Sequence, residues 1–126
     1  MRDYRNILAW QRADDMTVAV YECTTKFPRE EVYGVTSQLR RAAYSVPANI
    51  AEGSARESVK DYLHFLYIAR ASLTETQYFI HLSLRLGFTD VKSHDSLMGA
   101  VKSTFRTLHG LIKAVEKEVN TVVRCP

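Results

Sequence analysis

Val35, Leu39, Ala42, Val46 and Ile50 follow one another at steps of four, three, four and four residues. Such a series lines one side of an α-helix and does not suit a strand, whose side chains alternate between two faces. It also runs in phase through Pro47, within the stretch Ser45-Val46-Pro47-Ala48-Asn49-Ile50-Ala51-Glu52-Gly53. A loop would break the phase, so the segment is expected to be one helix kinked at Pro47, whose ring lacks an amide donor and presses on the carbonyl of Ala43. The small Ala43, Ala48 and Ala51 would let a neighbouring helix close on the bend. Gly53 is the expected stop, at a place where a left-handed residue costs little.

The same periodicity organises the rest of the chain. Trp10, Ala13, Met16 or Thr17, Val20 and Cys23 place a first helix over Ile7 to Phe27, which Phe27-Pro28 closes. The second helix can then begin near Pro28 or Arg29, with Glu30 and Glu31 at the positive end of its dipole. Ser58 and Asp61 have the spacing of an N-terminal cap and open a third helix that reaches Leu86, before Gly87. Thr89 or Ser93 is expected to cap a fourth, whose apolar face holds Leu97, Val101, Leu108, Ile112, Val115, Val119 and Val122. No strand pattern appears, and 126 residues at 46% hydrophobic suit one core. The expected fold is all-α, a single domain over residues 1–126 built as an antiparallel up-and-down four-helix bundle with a proline-kinked second helix.

Along Tyr62-Leu63-His64-Phe65-Leu66-Tyr67-Ile68-Ala69 the third helix is apolar on nearly every side. A single bundle covers one such face, so a homo-oligomer that buries the remainder is expected. No run approaches the length of a membrane span, and MRDYRNILAW lacks the apolar block of a secretory signal, which together predict a cytoplasmic chain. In that compartment Cys23 and Cys125 are expected to remain two free thiols.

Several blocks carry a family resemblance: Trp10, Phe27-Pro28 with Glu31, Leu39-Arg40-Arg41-Ala42 following Gln38, the SVPANIAEG stretch, Ile68-Ala69-Arg70, Ser72-Leu73 and Glu75. Together they resemble the bacterial four-helix bundle proteins encoded in intervening sequences of 23S ribosomal RNA genes, over roughly residues 8 to 115. One departure is Ala71, where the family more often has glycine, which bears on how closely another helix packs there. The resemblance implies a bundle assembling into a homo-oligomeric ring, a homopentamer, and implies no defined activity. A related ring, the accessory protein of diversity-generating retroelements, suggests nucleic-acid binding by analogy of fold.

Candidate chemistry lies on two stripes. Gln38, Arg41, Ser45, Asn49 and Glu52 share one side of the second helix. They form either a ligand site or a structural polar network that satisfies backbone groups freed by Pro47 or a neighbouring helix; the structural reading is favoured, because buried polar groups need partners. On the fourth helix, at about 100° per residue, Lys102, Arg106, His109, Lys113 and Lys117 fall within roughly 80° of one another, with only Glu116 close by. In an isolated helix this would be a solvated face; repeated around a ring it becomes a field that attracts phosphate.

Formal net charge is +3, and residues 64–126 supply the excess, with eight Lys or Arg against five Asp or Glu. No aromatic residue interleaves with the stripe, which argues against a stacking platform for single strands. Phosphate-loop, G-x-S-x-G and H-E-x-x-H patterns are missing, Asp61-x-x-His64 stands alone, and Glu22, Glu52 and Glu75 facing a common interior would be a weak basis for a metal site. The chain is therefore expected to be no enzyme, with no cofactor or metal, binding RNA or another nucleic acid through its basic stripe. The alternatives are a protein-interaction scaffold using the SVPANIAEG bend, and an enzyme built around Glu52 and Glu75.

Overall fold

The computed structural model describes residues 2–124, and the side chains of residues 2–121. Four helices, α1 (Leu8–Thr24), α2 (Val35–Ser54), α3 (Val59–Arg85) and α4 (Val91–Arg124), account for most of it, with short 3-10 turns at Tyr4–Asn6 and Arg29–Glu31 and no strand among the described residues. Each helix packs on its neighbours in sequence and α1 closes against α4. Contacts run in opposite senses along each pair: Thr17 meets Ala43 and Thr24 meets Arg40, while Ser45 meets Ser72 and Arg41 meets Glu75. The arrangement is an antiparallel four-helix bundle.

The apolar series supply its interior. Met16, Val20, Leu39, Val46, Ile50, Leu66, Leu73, Ile80, Val101, Leu108 and Ile112 are all essentially inaccessible. Burying a side chain of this size contributes about 1.5–3 kcal/mol each. No helix among the described residues is long and apolar enough to cross a membrane.

Three boundaries differ from expectation. The segment after Pro28 makes only one 3-10 turn before Gly34, and α2 starts at Val35. Glu31, expected within the first turn, caps it from outside: its Oε1 accepts the Val35 N–H at 3.1 Å. Asp90 caps α4 in place of Thr89 or Ser93, its carboxylate accepting the Ser93 N–H at 2.7 Å. Gly53 does not stop α2, which continues to Ser54. Its role is close approach, since a Cβ there would lie 2.7 Å from Cβ of Phe65 and 3.1 Å from Cδ1 of Tyr62 on α3. Gly87 is the left-handed residue, at φ +76°. It ends α3 in a Schellman turn, with Phe88 N–H donating to Ser83 O at 2.9 Å and Gly87 N–H to Leu84 O at 3.1 Å.

The third helix is also less bare than its sequence suggested. Tyr62, Leu63, Leu66 and Ala69 are buried within the chain and Phe65 is half-buried, leaving Tyr67 and Ile68 each 36% exposed. Position 122 of the expected α4 face lies outside the described side chains, and Cys125 lies outside the described residues altogether.

Two measurements check this packing. Gly53→Ala should destabilise the fold by about 1–3 kcal/mol in urea unfolding, because the methyl group meets atoms close to the α3 backbone. Gly110→Ala, at an exposed helix position with open space around it, should instead stabilise by about 0.5–1 kcal/mol. The Asp90 cap gives a pH signature. Hydrogen bonds from the Ser93 backbone, then from its side chain, hold the Asp90 carboxyl below the usual carboxylate range. Its contribution is therefore present above that range and disappears as pH falls through the lowered value. Thermal melts should show Asp90→Ala less stable than the parent at neutral pH, with the gap closing in acid.

Candidate functional site

The polar stripe of α2 turns toward α3. Arg41 Nη2 donates to Gln38 Oε1 at 3.2 Å and to Glu75 Oε1 on α3 at 3.0 Å. Ser45 Oγ receives Asn49 Nδ2 at 3.0 Å and stands 3.0 Å from Ser72 Oγ, while Asn49 Nδ2 also donates to Ser45 O at 2.7 Å. Glu52 stands apart, pairing with Arg56 at 3.2 Å. Four of the five residues thus form two separate groups, each reaching α3: Gln38 with Arg41 through Glu75, and Ser45 with Asn49 through Ser72, while Glu52 joins neither.

Helix α2 is continuous through the buried Pro47. The carbonyl that a proline at 47 leaves without its helical donor, that of Ala43, is not reached by the stripe. Thr17 of α1 approaches it instead, its one hydroxyl proton shared between Ala43 O at 3.1 Å and Ala13 O at 2.8 Å. By spacing Thr17 is an alternative to Met16 on the apolar face; Met16 fills the core, and Thr17 sits half-buried at its edge. Removing the donor should cost more than trimming the stripe. Thr17→Val is expected to lose about 1–3 kcal/mol, as for an unpaired buried acceptor, and Asn49→Ala about 1 kcal/mol, both measurable by chemical denaturation.

The second stripe faces solvent. Lys102, Arg106, His109, Lys113 and Lys117 are all exposed, opposite the buried Val101, Leu108, Ile112 and Val115. Lys113 Nζ lies 3.8 Å from Glu116 Oε1, a loose exposed pair. Lys102, Arg106 and Lys117 make no ion pair among the described residues.

Packing adds a cation that a reading of one helix misses. Arg70 of α3 lines a groove of about 350 Å³ together with Phe105, Arg106, Leu108 and His109. Its guanidinium lies 4.9 Å over the Tyr67 ring, and the Tyr67 hydroxyl donates to Glu116 Oε2 at 2.7 Å. That hydrogen bond, followed by slight desolvation, pushes the phenol above its ordinary range and keeps it a donor. Aromatic rings therefore adjoin the basic stripe, although none interleaves with it along α4. Phe105 directly precedes Arg106 at the edge of the apolar face, and the antiparallel fit of α3 brings Tyr67 alongside.

The pattern of the family described as 23S rRNA-intervening sequence protein matches residues 5–110. This chain belongs to that family. Its fold is similar to the crystal structure of a protein of unknown function from the S23 ribosomal protein family of Bacteroides thetaiotaomicron VPI-5482. The two are 21% identical, with a TM-score of 0.75 over 84% of this chain and 99% of that one. No curated protein matches the chain.

Within the span matched to the 23S rRNA-intervening sequence family lie the α2 stripe, Arg70, Lys102, Arg106 and His109; Lys113 and Lys117 fall beyond it. The three carboxylates considered for metal binding do not share an interior. Glu22 is exposed, while Glu52 and Glu75 are committed to Arg56 and Arg41. Cys23 is half-buried near the top of α1, with Sγ 3.7 Å from Thr89 Oγ1.

Proposed function

We propose that this protein is a non-enzymatic helical bundle that binds RNA or DNA through phosphate contacts, with little base specificity, and that copies associate so that the basic stripe repeats. One observation carries the reading: Lys102, Arg106, Lys113 and Lys117 stand exposed on one arc of α4, joined by Arg70, and Glu116, the acid beside that arc on α4, is already bonded to Tyr67. Clustered cations with so little compensation raise the local concentration of polyanions. Tyr44, Ile68 and Tyr78 remain exposed on α2 and α3 and offer apolar surface for contact between copies. The homopentamer implied by family resemblance is the assembly proposed.

The scaffold alternative has less surface to work with. Within SVPANIAEG, Val46, Pro47, Ile50 and Gly53 are buried, and Ser45 and Asn49 are occupied with each other and Ser72. Ala48 and Glu52 are its exposed residues. A salt series separates the two readings. With mixed-sequence RNA, affinity should fall steeply with added salt, and Lys102→Ala or Lys113→Ala should weaken binding uniformly and reduce the log–log slope by about 0.7–0.9 each. Absence of binding at about 50 mM salt would turn the choice to the scaffold.

A further inference from the structure

Resting on the phosphate-binding reading above, we propose that the groove between α3 and α4 receives the face of an unpaired base, so that the nucleic acid taken by this protein is single-stranded at the point of contact. The groove combines two features that phosphate binding alone does not require. Its floor is apolar and partly aromatic, with Leu108 buried and Phe105 half-buried against the core, while Arg70, Arg106 and His109 rim it. Beside it the guanidinium of Arg70 lies over the Tyr67 ring, and Tyr67 is itself fixed by its 2.7 Å hydrogen bond to Glu116. These flat groups are therefore held in place before any ligand arrives.

A nucleobase is a flat ring with apolar faces, tethered to a phosphate on each side. An aromatic floor between cations matches that chemistry. In a duplex the faces are covered by the neighbouring base pairs, and only edges, sugars and phosphates reach a protein. Phe105 can therefore contribute only to an unpaired nucleotide, whereas the exposed cations serve either form. Lys102 lies three residues before Phe105 and Lys113 eight after it, or about 4.5 and 12 Å along the helix. Phosphates on both sides of the inserted base would find a cation.

The test compares labelled oligo(U) and oligo(dT) strands with a mixed-sequence DNA duplex of equal length, by fluorescence anisotropy at low salt. The strands should bind about tenfold tighter than the duplex. Phe105→Leu, which keeps the apolar volume and removes the π-face, should lose about tenfold on the strands and nothing on the duplex, with an unchanged salt slope. Lys113→Ala should weaken both forms alike. Equal binding of strand and duplex, with Phe105→Leu neutral, overturns the groove assignment and leaves phosphate contact standing; no binding of either overturns both. If Phe105→Leu does not fold, judged by circular dichroism, Phe105→Met takes its place, again without the π-face, and should weaken the strands and leave the duplex unchanged. Ultraviolet crosslinking of oligo(dT) to the parent protein should label the peptide containing Phe105, and labelling only elsewhere overturns the assignment.

Discussion

A Cβ atom on Gly53 would stand 2.7 Å from Cβ of Phe65 and 3.3 Å from the Tyr62 carbonyl, so α2 and α3 meet there almost backbone to backbone. This lack of space orients α3. Phe65 must face α2, and the Ser45–Ser72 and Arg41–Glu75 contacts hold the same register farther along. With Phe65 so turned, Tyr67 and Arg70 lie about 200° and 140° around the helix axis, on the side away from α2. They meet α4 there, beside Glu116, Arg106 and His109. The composition of the candidate site on α4 thus depends on a glycine on α2 that touches none of its residues.

Pro47 ties the opposite side of α2 to α1. A proline inside a helix removes one hydrogen bond and strands a carbonyl one turn back, a cost of about 3 kcal/mol when nothing compensates. Thr17 supplies a donor at 3.1 Å from a neighbouring helix. Close by, Arg40 donates to Thr24 Oγ1 at 2.7 Å and lies over the Tyr21 ring. Helix α2 is thus held against α3 by close steric fit at Gly53 with polar contacts farther along, and against α1 by polar contacts that include the one made to the carbonyl freed by Pro47.

Much of this architecture is legible in the sequence because it rests on period and punctuation. The steps through Leu39, Val46 and Ile50 reveal α2 despite Pro47, and Ser58 and Gly87 mark the ends of α3 within a residue. The beginnings of α2 and α4 are less legible. Pro28-Arg29-Glu30-Glu31 has every local property of a helix start, yet Gly34 interrupts it and Glu31 acts from outside. Thr89, Asp90 and Ser93 are all competent caps, and the geometry of the α3–α4 turn selects Asp90. The candidate site was only half legible. Its cations follow from spacing on one helix, but Arg70 and the adjoining rings depend on how α3 is rolled, which periodicity along α4 cannot report.

The electrostatics of α4 are compatible with the polyanion ligand proposed for it. Lys102 with Arg106, and Lys113 with Lys117, are like charges at i,i+4, an arrangement that destabilises a helix by about 0.2–0.5 kcal/mol per pair. Two pairs elsewhere set opposite charges together, Arg41 with Glu75 and Arg56 with Glu52, while Arg12, Lys26, Arg29, Lys60 and Arg85 make no ion pair among the described residues. On α4, Glu116 engages the Tyr67 hydroxyl at 2.7 Å and only loosely approaches Lys113 at 3.8 Å. The repulsion is small beside the stability of a domain of this size. A polyanion that neutralised these cations would relieve it on binding, so a feature mildly unfavourable to the isolated helix becomes favourable in the complex.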